Sequence, residues 1–195
     1  IAYTVTIFKL TNTTIDPYVA SISYGCSQVL GAVASSLTIE RFGRRPLLWT
    51  SSVGMGISHF SLGIFLLLQH LDYDLLAYNW LPMVAMSAFG FAYNTGMGPL
   101  VFIIPNELYN PELASACSAI TLFLYYSIES LTTKIFPMAI ESLGFHMCFF
   151  IFVLSCVYIF LLTFILPETK GKSIETIRRE LSGSDDNVKC DVTKL

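Results

Sequence analysis

Long uncharged apolar stretches, separated by short charged strings, set the pattern of this chain. No charged side chain occurs from Pro17 to Ile39, from Pro46 to Leu71 or from Leu75 to Asn106. Leu113 to Thr133 holds only Glu129, and Ser142 to Pro167 is again uncharged. Each window reaches the roughly 20 residues that a hydrocarbon core demands of a helix. A soluble domain can bury one such segment, but five in succession leave it no polar surface. The pattern therefore predicts membrane helices over 17–39, 46–71, 79–106, 113–134 and 143–166. It also predicts a turn at 40–45 and a polar tail over 167–195. Residues 1–10 read as the outer end of a further helix that starts before Ile1. The expected fold class is an all-α membrane protein.

Composition strengthens this reading. Hydrophobic residues make up 54% of the chain and charged ones 13%, against about 25% charged in soluble domains. The formal net charge of −3 points to no particular partner, whereas the placement of charge is informative. Arg41, Arg44 and Arg45 share one turn, and Lys170, Lys172, Arg178, Arg179, Lys189 and Lys194 share the tail, leaving only Lys9 and Lys134 on the other side. Positive residues collect on the cytoplasmic face, so the arginine turn and the C-terminus are expected there. Asn12-Thr13-Thr14 is then an outward-facing glycosylation sequon. Cys26, Cys117, Cys148 and Cys156 fall in spans, and no Cys-x-x-Cys, metal-ligand spacing, nucleotide-binding loop or Ser/His/Asp arrangement appears. An enzyme, a cofactor, a metal and a nucleic-acid partner are therefore not expected.

The window 79–106 is too long for a simple span and is punctuated by Pro82, Gly90, Gly96, Gly98, Pro99 and Pro105. Proline removes a backbone donor and breaks the helical ladder. Irregular backbone at membrane depth is tolerated where it is buried in protein or lines a wet cavity, and interrupted helices mark binding sites in transporters. A break near 96–99, at Gly96, Gly98 and Pro99, is the functional expectation, with a kinked structural helix as its alternative.

Glu40-Arg41-Phe42-Gly43-Arg44-Arg45 resembles the loop joining the eighth and ninth helices of the sugar porter family of the major facilitator superfamily. Pro167-Glu168-Thr169-Lys170-Gly171 is similar to the string after their twelfth helix. Gly96-Met97-Gly98-Pro99 with Glu107 resembles their tenth helix, and Tyr3 with Phe8 the outer part of their seventh. The resemblance runs through nearly the whole chain. It implies the C-terminal six-helix bundle of a twelve-helix, facilitative-glucose-transporter-like carrier, with the first helix incomplete and the N-terminal six-helix half as its partner.

By the same resemblance, Gln28, Tyr93, Asn94, Phe102, Tyr125 and Tyr126 fall at substrate-binding positions. Tyr3, Glu40, Arg44, Arg45, Glu107 and Glu168 fall in a gating network that pairs and separates as the carrier alternates. Family carboxylate and tryptophan positions are occupied by Asn94 and Phe102, so D-glucose in particular does not follow. The residues still offer hydrogen bonds to hydroxyls and aromatic faces to C–H groups. Each has a plainer alternative: helix glue for Gln28, packing for the tyrosines, a topology signal for the arginines. Glu129 is expected at the outer interface beside Lys134, His59 in packing and His70 at the interface. Ser27, Gly31 and Ser35, spaced by four, read as a close-packing stripe. The implied function is facilitated diffusion of a hexose-type sugar by alternating access, in a multi-pass protein expected in the plasma membrane. A non-transporting sugar receptor or inactive truncated carrier, and a proton-coupled sugar or organic-solute symporter, remain alternatives.

Overall fold

The computed structural model describes Ile7 and residues 16–73, 75–109 and 113–165. Among these residues all regular structure is helical. Helix α1 runs Pro17–Phe42 and starts where Asp16 accepts a 2.9 Å hydrogen bond from the Tyr18 N–H, with Pro17 at the first helical position. The side chain satisfies an orphan donor, and proline at this position sacrifices no helical bond. Helix α2 runs Arg44–His70, and only Gly43 separates it from α1. Gly43 has φ +86°, a region that L side chains rarely adopt, so one glycine makes the whole reversal. The turn expected at 40–45 is thus far tighter: both arginine-bearing flanks, Arg41 and Arg44, are helical.

After α2 a short 3₁₀ turn, Leu76–Tyr78, leads into α3, Leu81–Ala92. Five residues, Tyr93–Met97, then wind as a π-helical turn before α4, Gly98–Leu108. The interruption therefore lies at 93–97 rather than 96–99, and the coil widens there without unwinding. Pro99 is the second residue of α4, where the ladder is already displaced. Helix α5, Ala114–Leu143, extends nine residues beyond the expected 134 and carries Pro137 in its interior. A second single-glycine reversal at Gly144, also φ +86°, joins it to α6, Phe145–Ile165.

Helix α2 is the centre of the bundle. It packs most extensively on α6 and next on α3, while α1 packs on α3. One apolar cluster joins Ala20, Tyr24, Leu62, Leu66, Ala85, Met86 and Phe149 with Ile7; a second, nearer Gly43, joins Leu47, Leu48 and Leu100. Lipid is as apolar as leucine, so such helices associate through close packing and hydrogen bonds. The Ser27–Gly31–Ser35 stripe shows how. A Cβ on Gly31 would lie 2.5 Å from the Phe91 carbonyl oxygen, and one on Gly90 3.1 Å from Ser27 Oγ. Three buried hydroxyls are satisfied within their own helices: Ser52 donates to Leu48 O (2.7 Å), Ser58 to Gly54 O (2.8 Å) and Thr163 to Ile159 O (2.9 Å).

Among the described residues four helical stretches are long and apolar enough to cross a membrane: Pro17–Ile39, Arg44–His70, Leu81–Pro105 and Phe145–Phe164. Helix α5 has the length, about 45 Å at 1.5 Å per residue, but is not among the four. It holds no fully buried residue and touches mainly α6 and α4. Its Glu129, Thr132 and Thr133 line the cavity described next.

Candidate functional site

A cavity of about 430 Å³ opens between α1, α2, α3, α5 and α6 beside the π turn. Phe89, Phe136, Phe149 and Phe152 supply aromatic faces, and Tyr24, His59, Tyr93, Glu129, Thr132, Thr133 and Ser155 supply polar atoms. His59 packs among three of these rings, its centroid 4.5 Å from Phe89, 5.4 Å from Phe152 and 5.7 Å from Phe149. Its expected packing role is therefore real, and its ring also faces the cavity.

The substrate residues expected from the sequence divide into three groups. Tyr93 lines the cavity, and its hydroxyl lies 3.4 Å from that of Tyr125. Tyr125 is braced edge-on by Phe102 at 5.3 Å. Gln28 joins this group indirectly, through its proximity to the Tyr24 side chain. Asn94 differs: its Nδ2 donates to Gly90 O at 3.0 Å, within its own helix. Tyr126 points elsewhere. It is 58% exposed and borders a separate hollow with Phe123, Ser127, Ser130, Leu131 and Lys134.

Glu129 corrects the sequence reading. It lines the cavity instead of sitting at an interface with Lys134, which borders the other hollow. The reason is helix length: with α5 extending to Leu143, position 129 is close to mid-helix. Its signal was in the sequence, because Tyr125, Glu129, Thr132 and Phe136 follow the 4-3-4 spacing of one helical face.

The break is packed tightly against α2. A Cβ on Gly96 would meet Leu47 O at 2.5 Å and Ser51 Cβ at 2.7 Å, and one on Gly54 would meet Ala92 Cβ at 2.9 Å. Gly98 lies under the Tyr93 ring, with Cε1 at 3.2 Å from a Cβ placed there. Tyr109 and Thr121 share a hydroxyl–hydroxyl hydrogen bond that ties the end of α4 to α5.

Of the proposed gating residues, Tyr3 and Glu168 lie outside the described residues, as does the sequon Asn12. Glu40 and Glu107 fall within α1 and α4, and their side chains are outside the described part. Arg44 opens α2. Arg45 reaches the end of α6, where Nε donates to Thr163 O at 3.2 Å and Nη2 to Phe164 O at 2.8 Å, and its guanidinium lies 5.3 Å from the Trp49 ring centroid. A cation capping the last carbonyls of a helix satisfies orphan acceptors and opposes the helix dipole. Replacing Arg45 by Ala is expected to cost about 1–2 kcal/mol. Arg45→Lys should recover only part of this, because the planar fork bonds two carbonyls at once. Thermal unfolding of the purified protein measures both variants, and equal melting points for wild type and Arg45→Ala would contradict the assignment.

An all-helical bundle with four membrane-length helices among the described residues, and a cavity beside a widened turn, defines a multi-pass membrane protein. The fold superposes on a double-tryptophan variant of XylE with a TM-score of 0.76 at 24% identity, covering 90% of this chain and 37% of that one. It superposes on the proton:xylose symporter XylE bound to 6-bromo-6-deoxy-D-glucose with a TM-score of 0.69 at 23% identity, covering 91% and 38%. Residues 1–181 match the family model described as sugar (and other) transporter, and the chain belongs to that family. Among curated relatives, the facilitated trehalose transporter Tret1 of Bombyx mori is 27% identical over 190 residues, 97% of this chain and 38% of that protein. Tret1 of Aedes aegypti is 30% identical over 184 residues, 94% and 23%. The chain thus spans well under half the length of these curated relatives.

Proposed function

We propose that this chain is the C-terminal half of a carrier that moves a hexose-type sugar across the plasma membrane by alternating access, with its C-terminus in the cytoplasm. The observation that carries the reading is the cavity at the helix break. Phenylalanine faces suit the C–H surfaces of a sugar ring, and Tyr93, Tyr125, Glu129 and the α5 threonines suit its hydroxyls. The N-terminal six-helix half supplies the opposite wall. In this reading the gating role falls to Glu40, Arg44, Arg45, Glu107 and Glu168, whose charges pair and separate as the carrier alternates, together with Tyr3. Exposed ion pairs contribute about 0–1 kcal/mol each, a scale suited to an equilibrium that must tip both ways. Asn12 is the glycosylation site. One observation favours proton-coupled uptake as a second reading, namely the ionisable Glu129 in the cavity, a functional position by default at membrane depth.

Uptake of radiolabelled hexose into liposomes containing the intact protein, with and without a pH gradient, tests both readings. Sugar should accumulate only to equilibrium under facilitated diffusion, and above it with an inward proton gradient under symport. Tyr93→Phe deletes the hydroxyl that meets Tyr125 and is expected to raise KM about threefold to tenfold, in line with the about 1 kcal/mol of a neutral hydrogen bond. An unchanged KM would remove Tyr93 from the site.

A further inference from the structure

The π turn is not held by its own ladder alone. The Ala92 carbonyl and the Met97 N–H are five residues apart, the spacing of a π-helical pair. The Ser51 hydroxyl, from α2, sits between them. It donates to Ala92 O at 2.8 Å and accepts from the Met97 N–H at 3.1 Å. Ser51 is 2% exposed, and its Cβ occupies the space that any side chain at Gly96 would need. A foreign hydroxyl inserted into a helical ladder is a recognised cause of local distortion. Few side chains can fill this place, because the group must donate and accept at once within a small volume.

We propose that Ser51 is the positioning residue of the cavity: its hydroxyl holds the π turn open and so sets the direction of Tyr93 and Asn94. The π turn holds one residue more than an α-turn, and each α-helical residue corresponds to roughly 100° of rotation. If the turn tightens to α-helical pairing, Tyr93 swings away from Tyr125 and the polar wall of the cavity is lost. Because the hydroxyl comes from α2, the turn is also referenced to the helix that packs most extensively on α6. A relative movement of α2 and α3–α4 must therefore make or break these two bonds. This inference rests on the cavity being the sugar site, and its test keeps the two ideas apart.

Amide hydrogen exchange of the intact, detergent-purified protein needs no substrate. In Ser51→Ala, exchange over residues 92–98 is expected to quicken at least tenfold, with the remainder of α3 and α4 unchanged. In liposomes the same variant should raise the KM for hexose at least threefold, with maximal rate within twofold of wild type and unchanged yield. Ser51→Cys, a weaker donor and acceptor, should fall between, and it replaces Ser51→Ala should that variant fail to fold. Wild-type exchange over 92–98 overturns the proposal. So does faster exchange with a reduced maximal rate and an unchanged KM, the mark of a structural role alone. Faster local exchange in a protein whose wild type carries no sugar refutes the cavity assignment and leaves Ser51 as the residue that holds the turn.

Discussion

Gly96→Val is expected to abolish the folded protein, while Gly25→Ala, in an equally apolar helix, leaves it unharmed. The two glycines look alike in sequence, yet their surroundings differ. A Cβ at Gly96 lands 2.5 Å from the Leu47 carbonyl oxygen and 2.7 Å from Ser51 Cβ, whereas one at Gly25 meets nothing within 4 Å. The atom struck at Gly96 is main chain, so no side-chain rotation relieves the clash and α2 must move as a body away from the break. Overpacking typically costs about 1–3 kcal/mol, and a branched side chain at this point exceeds that range. Gly96→Ala is the milder form and should lower the melting temperature by several degrees. Gly31→Ala should behave like it, since its Cβ falls 2.5 Å from Phe91 O on the other side of the same segment. At Gly25 the loss of backbone freedom in the unfolded chain works the other way, worth about 0.4–1 kcal/mol of stabilisation. Monodisperse yield and thermal unfolding in detergent report all four variants. Equal losses at positions 25 and 96 would mean that α2 and the break do not approach as closely as described.

The contrast between Gly96 and Gly25 also marks what was legible in the sequence. Membrane helices announce themselves by length and by the absence of charge, because hydrocarbon tolerates neither unpaired backbone nor free ions. The small-residue stripe in α1 was legible for the same reason: close helix approach demands small side chains at fixed spacing. The exact form of the break was not. Gly96-Met97-Gly98-Pro99 suggests an interruption over 96–99, but a proline near the start of a helical segment forfeits little, and Pro99 sits at the second position of α4. The widening falls earlier, at Tyr93–Met97, and its support comes from Ser51, 46 residues away in sequence. Arg45 illustrates the same limit: its position marked a charged turn, and its partners, the last carbonyls of α6, are visible only once the helices are packed. Asn94 and Tyr126 followed from family spacing, yet spacing carries no information on rotamer, and the two side chains turn to Gly90 O and to a separate hollow.

Glu129→Gln is expected to cost the cavity more affinity than any other single-atom change, raising the KM for sugar about tenfold or more with surface expression unchanged. A carboxylate accepting from substrate hydroxyls forms charge-assisted bonds worth about 1.5–3 kcal/mol, roughly twice a neutral bond. The isosteric amide keeps the volume and one acceptor oxygen but loses the charge and turns one arm into a donor. Glu129→Lys goes further: it reverses the charge among Tyr93, His59 and the phenylalanine rings and is expected to abolish uptake. Glu141→Gln, exposed near the end of α5, is the matched control and should transport as wild type, since it changes the same functional group on the same helix away from the cavity. If Glu129 serves proton coupling, the Gln variant separates the two roles. It should still exchange sugar across a membrane at equilibrium but no longer accumulate it against a gradient, whereas a hydroxyl acceptor alone loses affinity equally in both assays. Wild-type KM and wild-type accumulation in Glu129→Gln would return Glu129 to a solvated position outside the site and leave Tyr93 and Tyr125 as its polar centre.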